Sequence, residues 1–167
     1  MKKRQAGLTL IELLIGLVVM AVLLSIAVPS FQTLRQQYTV RSAGMAIYAD
    51  LQLARSEAIK RNKDITVCFS GSGTANWSFQ INDLVDSTDC TAGINETIET
   101  SNSQDYPKVT LTASYSPPQL TFKPRRNTLT SGNVTLSNGS QAMEVKTWNN
   151  GITRTCSDDD LMGVPAC

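Results

Sequence analysis

The sequence predicts an α+β fold: one long N-terminal helix packed on antiparallel β-sheet. Three observations predict it. An apolar stretch from Leu8 to Val28 runs on, past Pro29, into an amphipathic stretch that lasts to Arg61. Beyond Arg61, short segments rich in Val, Ile, Thr and aromatic residues alternate with Asn-Gly, Ser-Gly and Pro-Pro punctuation. All four cysteines fall in this second part.

The helix comes first. Leu8 to Val28 is 21 residues, with Thr9, Glu12 and Ser25 as its clear polar breaks. At a rise of about 1.5 Å per residue it spans roughly 30 Å, the thickness of a bilayer core. Lys2, Lys3 and Arg4 precede it, so the positive-inside rule keeps them cytoplasmic and turns the rest of the chain outward. An acidic group at the centre of a spanning helix costs about 2.5–3.5 kcal/mol. Glu12 lies near the cytoplasmic end and can snorkel, which lowers the cost, but it still needs a positive partner once the helix enters a bundle. Two readings compete: a generic single-span anchor, which would leave Glu12 unexplained, and a cleaved secretory signal, since Ser25-Ile26-Ala27 loosely fits a small-x-small site. The apolar core is too long for it, it contains Glu12, and the helical pattern continues past Pro29. Pro29 lacks an N–H and either kinks the helix or marks its exit from the membrane.

From Ser30 to Arg61 the apolar residues Ala43, Ile47, Leu51, Ala54 and Ala58 follow the spacing of one buried helical face. Ser42, Ala43, Gly44 and Ala46 permit close packing against a sheet or another helix. Glu57 and Arg61 are read as an i,i+4 ion pair on the exposed side. Asn62-Lys63-Asp64 ends the helix. Strands are expected at Ile65–Phe69, Trp77–Ile81, Val109–Tyr115, Leu120–Phe122, Val134–Leu136, Ala142–Lys146 and Ile152–Cys156. Residues 82–104 are polar and turn-rich, with a weak strand near Ile94–Thr100.

Composition bounds the chemistry. Hydrophobic residues make up 41% of the 167, and the N-terminal helix takes a large share, so the outer core is thin. Two disulfides would staple it in an oxidising compartment. Four cysteines allow three connectivities, of which Cys68–Cys90 with Cys156–Cys167 closes the shortest loops. Zinc is discounted, because the cysteines are widely spaced and there is no histidine. Asp83, Asp86 and Asp89, and the run Asp158, Asp159 and Asp160, lack the alternating ligand spacing of a calcium loop and read as solvated acidic loops. With no histidine and no Gly-rich phosphate loop opening a helix, nothing assembles a catalytic constellation; the chain is expected to be no enzyme and to need no cofactor or metal. Net charge is +1, and taking Lys2, Lys3 and Arg4 from the 15 basic side chains leaves 12 against 14 acidic ones. That balance excludes a global polyanion binder. A local phosphate-binding patch would draw on Lys108, Lys123, Arg125, Arg126, Lys146 and Arg154.

Gly7-Leu8-Thr9-Leu10-Ile11-Glu12 resembles the class III signal of type IV pilins and type II secretion pseudopilins. The resemblance implies a prepilin peptidase cut between Gly7 and Leu8, methylation of the new Leu8 amine, and a role for the Glu12 carboxylate in meeting the N-terminal amine of a neighbouring subunit. Leu8 stands where the family often has Phe, and Pro29 falls where the family has a proline. A narrower resemblance, to the GspH/FimT family, is carried by Leu53-Ala54-Arg55-Ser56-Glu57-Ala58 with Arg61-Asn62, by Trp77, by Leu120-Thr121-Phe122, and by Asn150-Gly151 before a strand ending in Cys156.

The implied organisation is a leader at 1–7, a membrane-spanning half-helix at 8–29, an amphipathic half at 30–61 and a β-rich periplasmic or extracellular pilin domain at 62–167. The implied function is a minor type IV pilin or H-type pseudopilin that primes or caps a filament. Its implied partners are major and minor pilins, the prepilin peptidase, the inner membrane and the inner-membrane assembly platform. Two alternatives share this architecture: a pseudopilin of type II protein secretion, and a DNA-binding pilin for natural transformation using Lys123, Arg125, Arg126 and Arg154. Family members that act in DNA uptake carry Gly-Arg-x-Arg. Here Gly151-Ile152-Thr153-Arg154 keeps the second arginine and has Ile152 in place of the first, with Asp158 to Asp160 close in sequence.

Overall fold

The computed structural model describes residues 9–84, 90, 91, 93–124 and 129–167. Helix α1 runs from Leu10 to Arg61, 52 residues without interruption. Thr9 opens it: the Glu12 N–H donates to Thr9 Oγ1 at 3.3 Å, satisfying one of the free donors of the first turn. Pro29 lies inside the helix and deprives the Ser25 carbonyl of its i+4 donor, yet the helix continues. The chain forms two compact units, one ending at Gln36 and one spanning Gln37–Cys167. In the first, every described residue is exposed.

Among the described residues, the second unit holds the C-terminal part of α1, eight strands and one 3-10 turn. The strands are β1 (Ile65–Ser70), β2 (Ser78–Leu84), β3 (Ile94–Asn102), β4 (Thr110–Ala113), β5 (Gln119–Phe122), β6 (Gly132–Ser137), β7 (Ala142–Thr147) and β8 (Thr153–Cys156). They form two antiparallel four-stranded sheets rather than one continuous set, ordered β3-β2-β1-β5 and β4-β6-β7-β8. β4 and β5 are consecutive in sequence but join different sheets, because Leu111 pairs opposite Leu136 while Leu120 pairs opposite Val67. β3 is the longest strand, although its sequence signal is the weakest. Trp77 stands just before β2 instead of within it.

One apolar core joins α1 to the inner faces of both sheets. The helix contributes Val40, Ala43, Gly44, Ile47, Leu51, Ala54 and Ala58, the stripe expected from the sequence extended one turn at its start. Val67, Phe69, Ile81, Leu120, Leu111, Val134, Met143 and Val145 meet it from the strands. Gly44 is needed for that approach, since a Cβ there would overlap the Met143 side chain. Trp77 is 1% exposed, donates its indole N–H to Val109 O at 2.8 Å, and stacks on Phe79 and Tyr106. Gly71 makes the β1–β2 turn at φ +69°, where a Cβ would also strike Asn76 O.

Two disulfides fasten the margins. Cys68–Cys90 ties β1 to the segment after β2, and Cys156–Cys167 clips the C-terminal segment to the end of β8. That segment is further held by Ser157 N–H donating to Pro165 O at 2.9 Å and by Leu161, which is 2% exposed. The carboxylate expected on an exposed helical face is instead covered, with Glu57 8% exposed, while its partner Lys60 stays exposed and Arg61 is partly so. The Glu57 carboxylate receives Arg61 Nε at 2.7 Å and Lys60 Nζ at 3.0 Å, and the Arg61 guanidinium also reaches Glu96 of β3. The two basic side chains fold over the carboxylate and shield it, so the pair closes the end of the helix against the sheet.

Candidate functional site

The first unit offers a surface without a protein lining. From Leu10 to Val28 the large apolar side chains are between 48% and 79% exposed, on all sides of the helix. Its most apolar window is unburied, and the helix is long and apolar enough to cross a membrane. A helix apolar all round requires lipid or other helices as its solvent. Within this surface stands one carboxylate, Glu12, in the first helical turn. Free N–H groups and the helix dipole favour negative charge there. The arrangement suits a pairing with a cation in the same apolar layer. Gly7 and Leu8, the expected cleavage and methylation residues, lie outside the described residues.

The second unit carries the expected basic residues at separate places. Arg154 of β8 sits directly opposite Lys146 of β7 in the ladder. Arg154 is exposed and makes no ion pair among the described residues, while Lys146 Nζ lies 3.3 Å from Glu144. The hairpin turn beyond them is closed by Trp148 N–H donating to Ile152 O at 3.0 Å and Gly151 N–H donating to Trp148 O at 2.9 Å. Gly151 takes φ +78°, which suits glycine. Arg55 of α1 donates from Nη1 to Gly151 O at 3.1 Å and pins the turn to the helix. Sequence reasoning located both Arg55 and Gly151 within family-like motifs, but nothing in the sequence showed that the two touch. Trp148 and Ile152 are 40% and 41% exposed and stand beside the cation pair.

Lys123 follows β5 in the other sheet. It lines an open cleft of about 330 Å³ with Ser116, Pro117, Gln119, Thr121, Leu129 and Thr130. Arg125 and Arg126 lie outside the described residues. The chain that follows them runs beside the basic hairpin, because Leu129 N–H donates to Asn149 O at 3.3 Å. The basic residues brought together are therefore Lys146 and Arg154, and Lys123 belongs to a different strand edge.

Of the acidic residues expected in solvated loops, Asp83 instead lies within β2, where it is buried. Asp83 is 7% exposed and faces Lys63 at 3.5 Å. Asp86 and Asp89 lie outside the described residues. Asp159 Oδ2 accepts the Ala142 N–H at 2.6 Å, and Asp158 and Asp160 are exposed. Glu144, Cys156 and Cys167 come close together, but both sulfurs are spent in a disulfide and offer no thiolate to a metal. On α1, hydrogen bonds from Arg61 and then Lys60 hold the Glu57 carboxyl below its ordinary range. The opposite holds for Asp50: burial pushes its carboxyl up and neighbouring Glu99 adds to the rise, against a hydrogen bond from Ser101.

Comparison with known proteins gives the frame. Residues 43–151 match the family described as type II transport protein GspH, and residues 2–28 match the prokaryotic N-terminal methylation motif. No curated protein sequence matches the chain. Among solved structures, the type IV minor pilin FimU of Pseudomonas aeruginosa is similar in two crystal forms, each at 20% identity. One aligns at a TM-score of 0.54 over 69% of this chain and 90% of that one, the other at 0.56 over 69% and 86%. At that identity the likeness concerns the fold: a long helix on antiparallel sheets.

Proposed function

The chain belongs to the GspH family of pilin-type proteins, and on that premise we propose that it is a minor type IV pilin, a structural subunit that primes or caps a pilus-like filament. The observation that carries the reading is the single carboxylate of Glu12 in the first turn of a helix that is apolar on every side. Before assembly, lipid is the solvent of this helix and Lys2, Lys3 and Arg4 hold its start at the cytoplasmic face. Prepilin peptidase cuts between Gly7 and Leu8, and the Leu8 amine is methylated. In the inner membrane the helix spans once, with the β-rich unit on the periplasmic side. On assembly the same apolar surface packs against helices of other pilins, and Glu12 pairs with the N-terminal amine of a neighbour. A buried carboxylate that finds its cation only in one register selects that register, because every other register leaves the charge unpaired.

Glu12→Ala tests this. It is expected to leave insertion in the inner membrane unchanged and to reduce recovery of the chain in sheared filaments at least tenfold. Incorporation at the wild-type level would sink the mechanism.

A second reading is favoured by one observation, the exposed Arg154 opposite Lys146 beside exposed Trp148. Two cations next to an aromatic face suit a nucleic-acid strand, with phosphates on the cations and a base on the ring. Ile152, in place of the first arginine of the DNA-uptake motif, removes one phosphate contact. Titration of DNA across a salt series is expected to give binding that weakens with salt, and Arg154→Ala to reduce the salt slope by about one. A slope unchanged by Arg154→Ala would remove the hairpin from any DNA contact.

A further inference from the structure

The two sheets have four edges, and three of them are short or engaged. β4, β5 and β8 are four residues each. β4 is bridged by Thr74 opposite Leu111, and the C-terminal segment is disulfide-bonded to the end of β8. The fourth edge is β3, nine residues long, or roughly 30 Å of extended chain. Ile94, Asn95, Glu96, Thr97, Glu99 and Thr100 are all exposed, and Ile98 alone packs on the core. β3 is therefore held by its pairing to β2 and by contacts of a few side chains with α1, such as Ser101 Oγ donating to Asp50 at 3.2 Å.

A long, exposed edge is a template for another strand, and proteins ordinarily blunt one with charged side chains, above all lysine, with proline, with bulges or with short length. The sequence of β3, Ile-Asn-Glu-Thr-Ile-Glu-Thr-Ser-Asn, contains neither lysine nor proline. The irregularities in its pairing with β2 fall at Ile81/Asn82 and Asp83/Leu84, which leaves Glu99 to Asn102 in unbroken register as the flat part of the edge. The charge differs along the strand: Glu96 is paired with Arg61 of α1, whereas the groups around the unbroken part from Glu99 onward are acidic. Glu99 is exposed on the strand, Asp105 follows in the next turn, and Asp50 lies beneath Ser101. Glu99 also contributes to raising the Asp50 carboxyl, so the negative field at this edge already acts on its own side chains.

We propose that the β3 edge is a docking edge for an extended strand of a neighbouring pilin-type subunit, one that presents Lys or Arg side chains beside Glu99. The proposal rests on the minor-pilin reading. The partner strand satisfies the outward backbone groups of β3, and its cations fix the direction and register that backbone pairing alone leaves open. Charge complementarity selects a basic strand over an acidic or neutral one. This lateral contact lies outside the apolar helix and outside the basic hairpin, so it adds a specific neighbour to helix packing that is common to all subunits.

The test uses the full chain in cells that assemble the filament, with a photo-crosslinking residue placed at Thr97 and, as control, at Thr112 on the outward side of β4. Sheared filaments are isolated and the adducts mapped by mass spectrometry. The expected result is an adduct from Thr97 to a pilin-type subunit, within an extended segment carrying Lys or Arg, at least tenfold above that from Thr112. Glu99→Lys in the same chain is expected to cut the adduct at least tenfold while the chain stays folded and still reaches the filament through its helix. Equal yields from the two positions, adducts to lipid or to a segment without basic residues, or an adduct indifferent to Glu99→Lys would each overturn the docking edge and leave the pilin reading standing. Absence of the wild-type chain from the filament fraction would overturn the pilin reading, and the edge proposal with it.

Discussion

Helix α1 contains two stretches with the same backbone and opposite surroundings. Residues 10–36 are exposed throughout and bear leucine, isoleucine and valine on every side. From Gln37 to Arg61 the helix buries one stripe, Val40 to Ala58, and leaves mostly polar side chains on the rest, with Tyr38, Met45 and Ile59 as exposed exceptions. The first stretch has no core of its own and depends on lipid or on other subunits. The second is a structural member of a self-contained domain. The difference teaches that helical periodicity reports the partner: an all-round apolar helix is built for an environment that can change, a striped one for a fixed neighbour.

The largest contrast comes from truncating leucines. Leu51 is 1% exposed in the core, and Leu51→Ala is expected to cost the domain about 2–5 kcal/mol through lost burial and a cavity. Leu17 is 62% exposed, and Leu17→Ala is expected to leave the melting temperature of the full chain in detergent within about 1 °C of wild type, since it removes no domain contact. A comparable loss in both variants would show that the two stretches are not independent in stability.

A glycine pair sharpens the same contrast at a smaller scale. A Cβ on Gly16 would meet nothing within 4 Å, whereas one on Gly44 would overlap Met143. Gly44→Ala gains helix propensity of about 1 kcal/mol but overpacks the core by about 1–3 kcal/mol. Met143 is adaptable and absorbs part of the strain. The expected outcome is a net loss near 1 kcal/mol for Gly44→Ala and no loss for Gly16→Ala, by thermal unfolding. Pairing Gly44→Ala with Met143→Ala should recover much of the overpacking term, measured against Met143→Ala alone.

The sequence carried the helix well because its signals are local. The stripe Ala43, Ile47, Leu51, Ala54 and Ala58 is a matter of spacing, and it lies in the core. Most strands were legible for the same reason, through alternation between turn residues. The partition into two sheets was not, because it depends on which distant strands pair, and the separation of β4 from β5 leaves no local mark. β3 read as weak because most of its side chains are exposed and Ile98 alone packs on the core, so no alternation records it. Glu57 was read as solvent-facing, since helical spacing cannot show that Arg61 will lie over it and also reach Glu96, on a strand 35 residues beyond Arg61. The basic residues were legible as types but not as a site: Lys146 and Arg154 meet through ladder register, and Lys123 lies elsewhere.

The smallest effect separates two carboxylates within the docked stretch, and its sign differs for each. Glu57 is held below its usual value of 4.5 by Arg61 and Lys60, so the stability it contributes is present above pH 4.5 and is lost as pH falls through its lowered folded value. Asp50 is raised above its usual 3.8 by burial and by Glu99, so its contribution is fully present below pH 3.8 and is lost as pH rises through its raised folded value. Acidification from neutral pH therefore titrates Asp50 first and relieves a half-buried charge, then protonates Glu57 and removes an ion-paired one. Urea midpoints between pH 7 and pH 3 are expected to rise slightly and then fall. Asp50→Asn should abolish the rise and leave the fall. Glu57→Gln should abolish the fall and lower stability at neutral pH, and added salt should shrink that neutral-pH difference, because Lys60 is an exposed partner. If Asp50→Asn instead left the rise intact, the half-buried charge would belong to another group, and the pairing of α1 with β3 through Asp50 and Ser101 would not be what sets the acid response of this face.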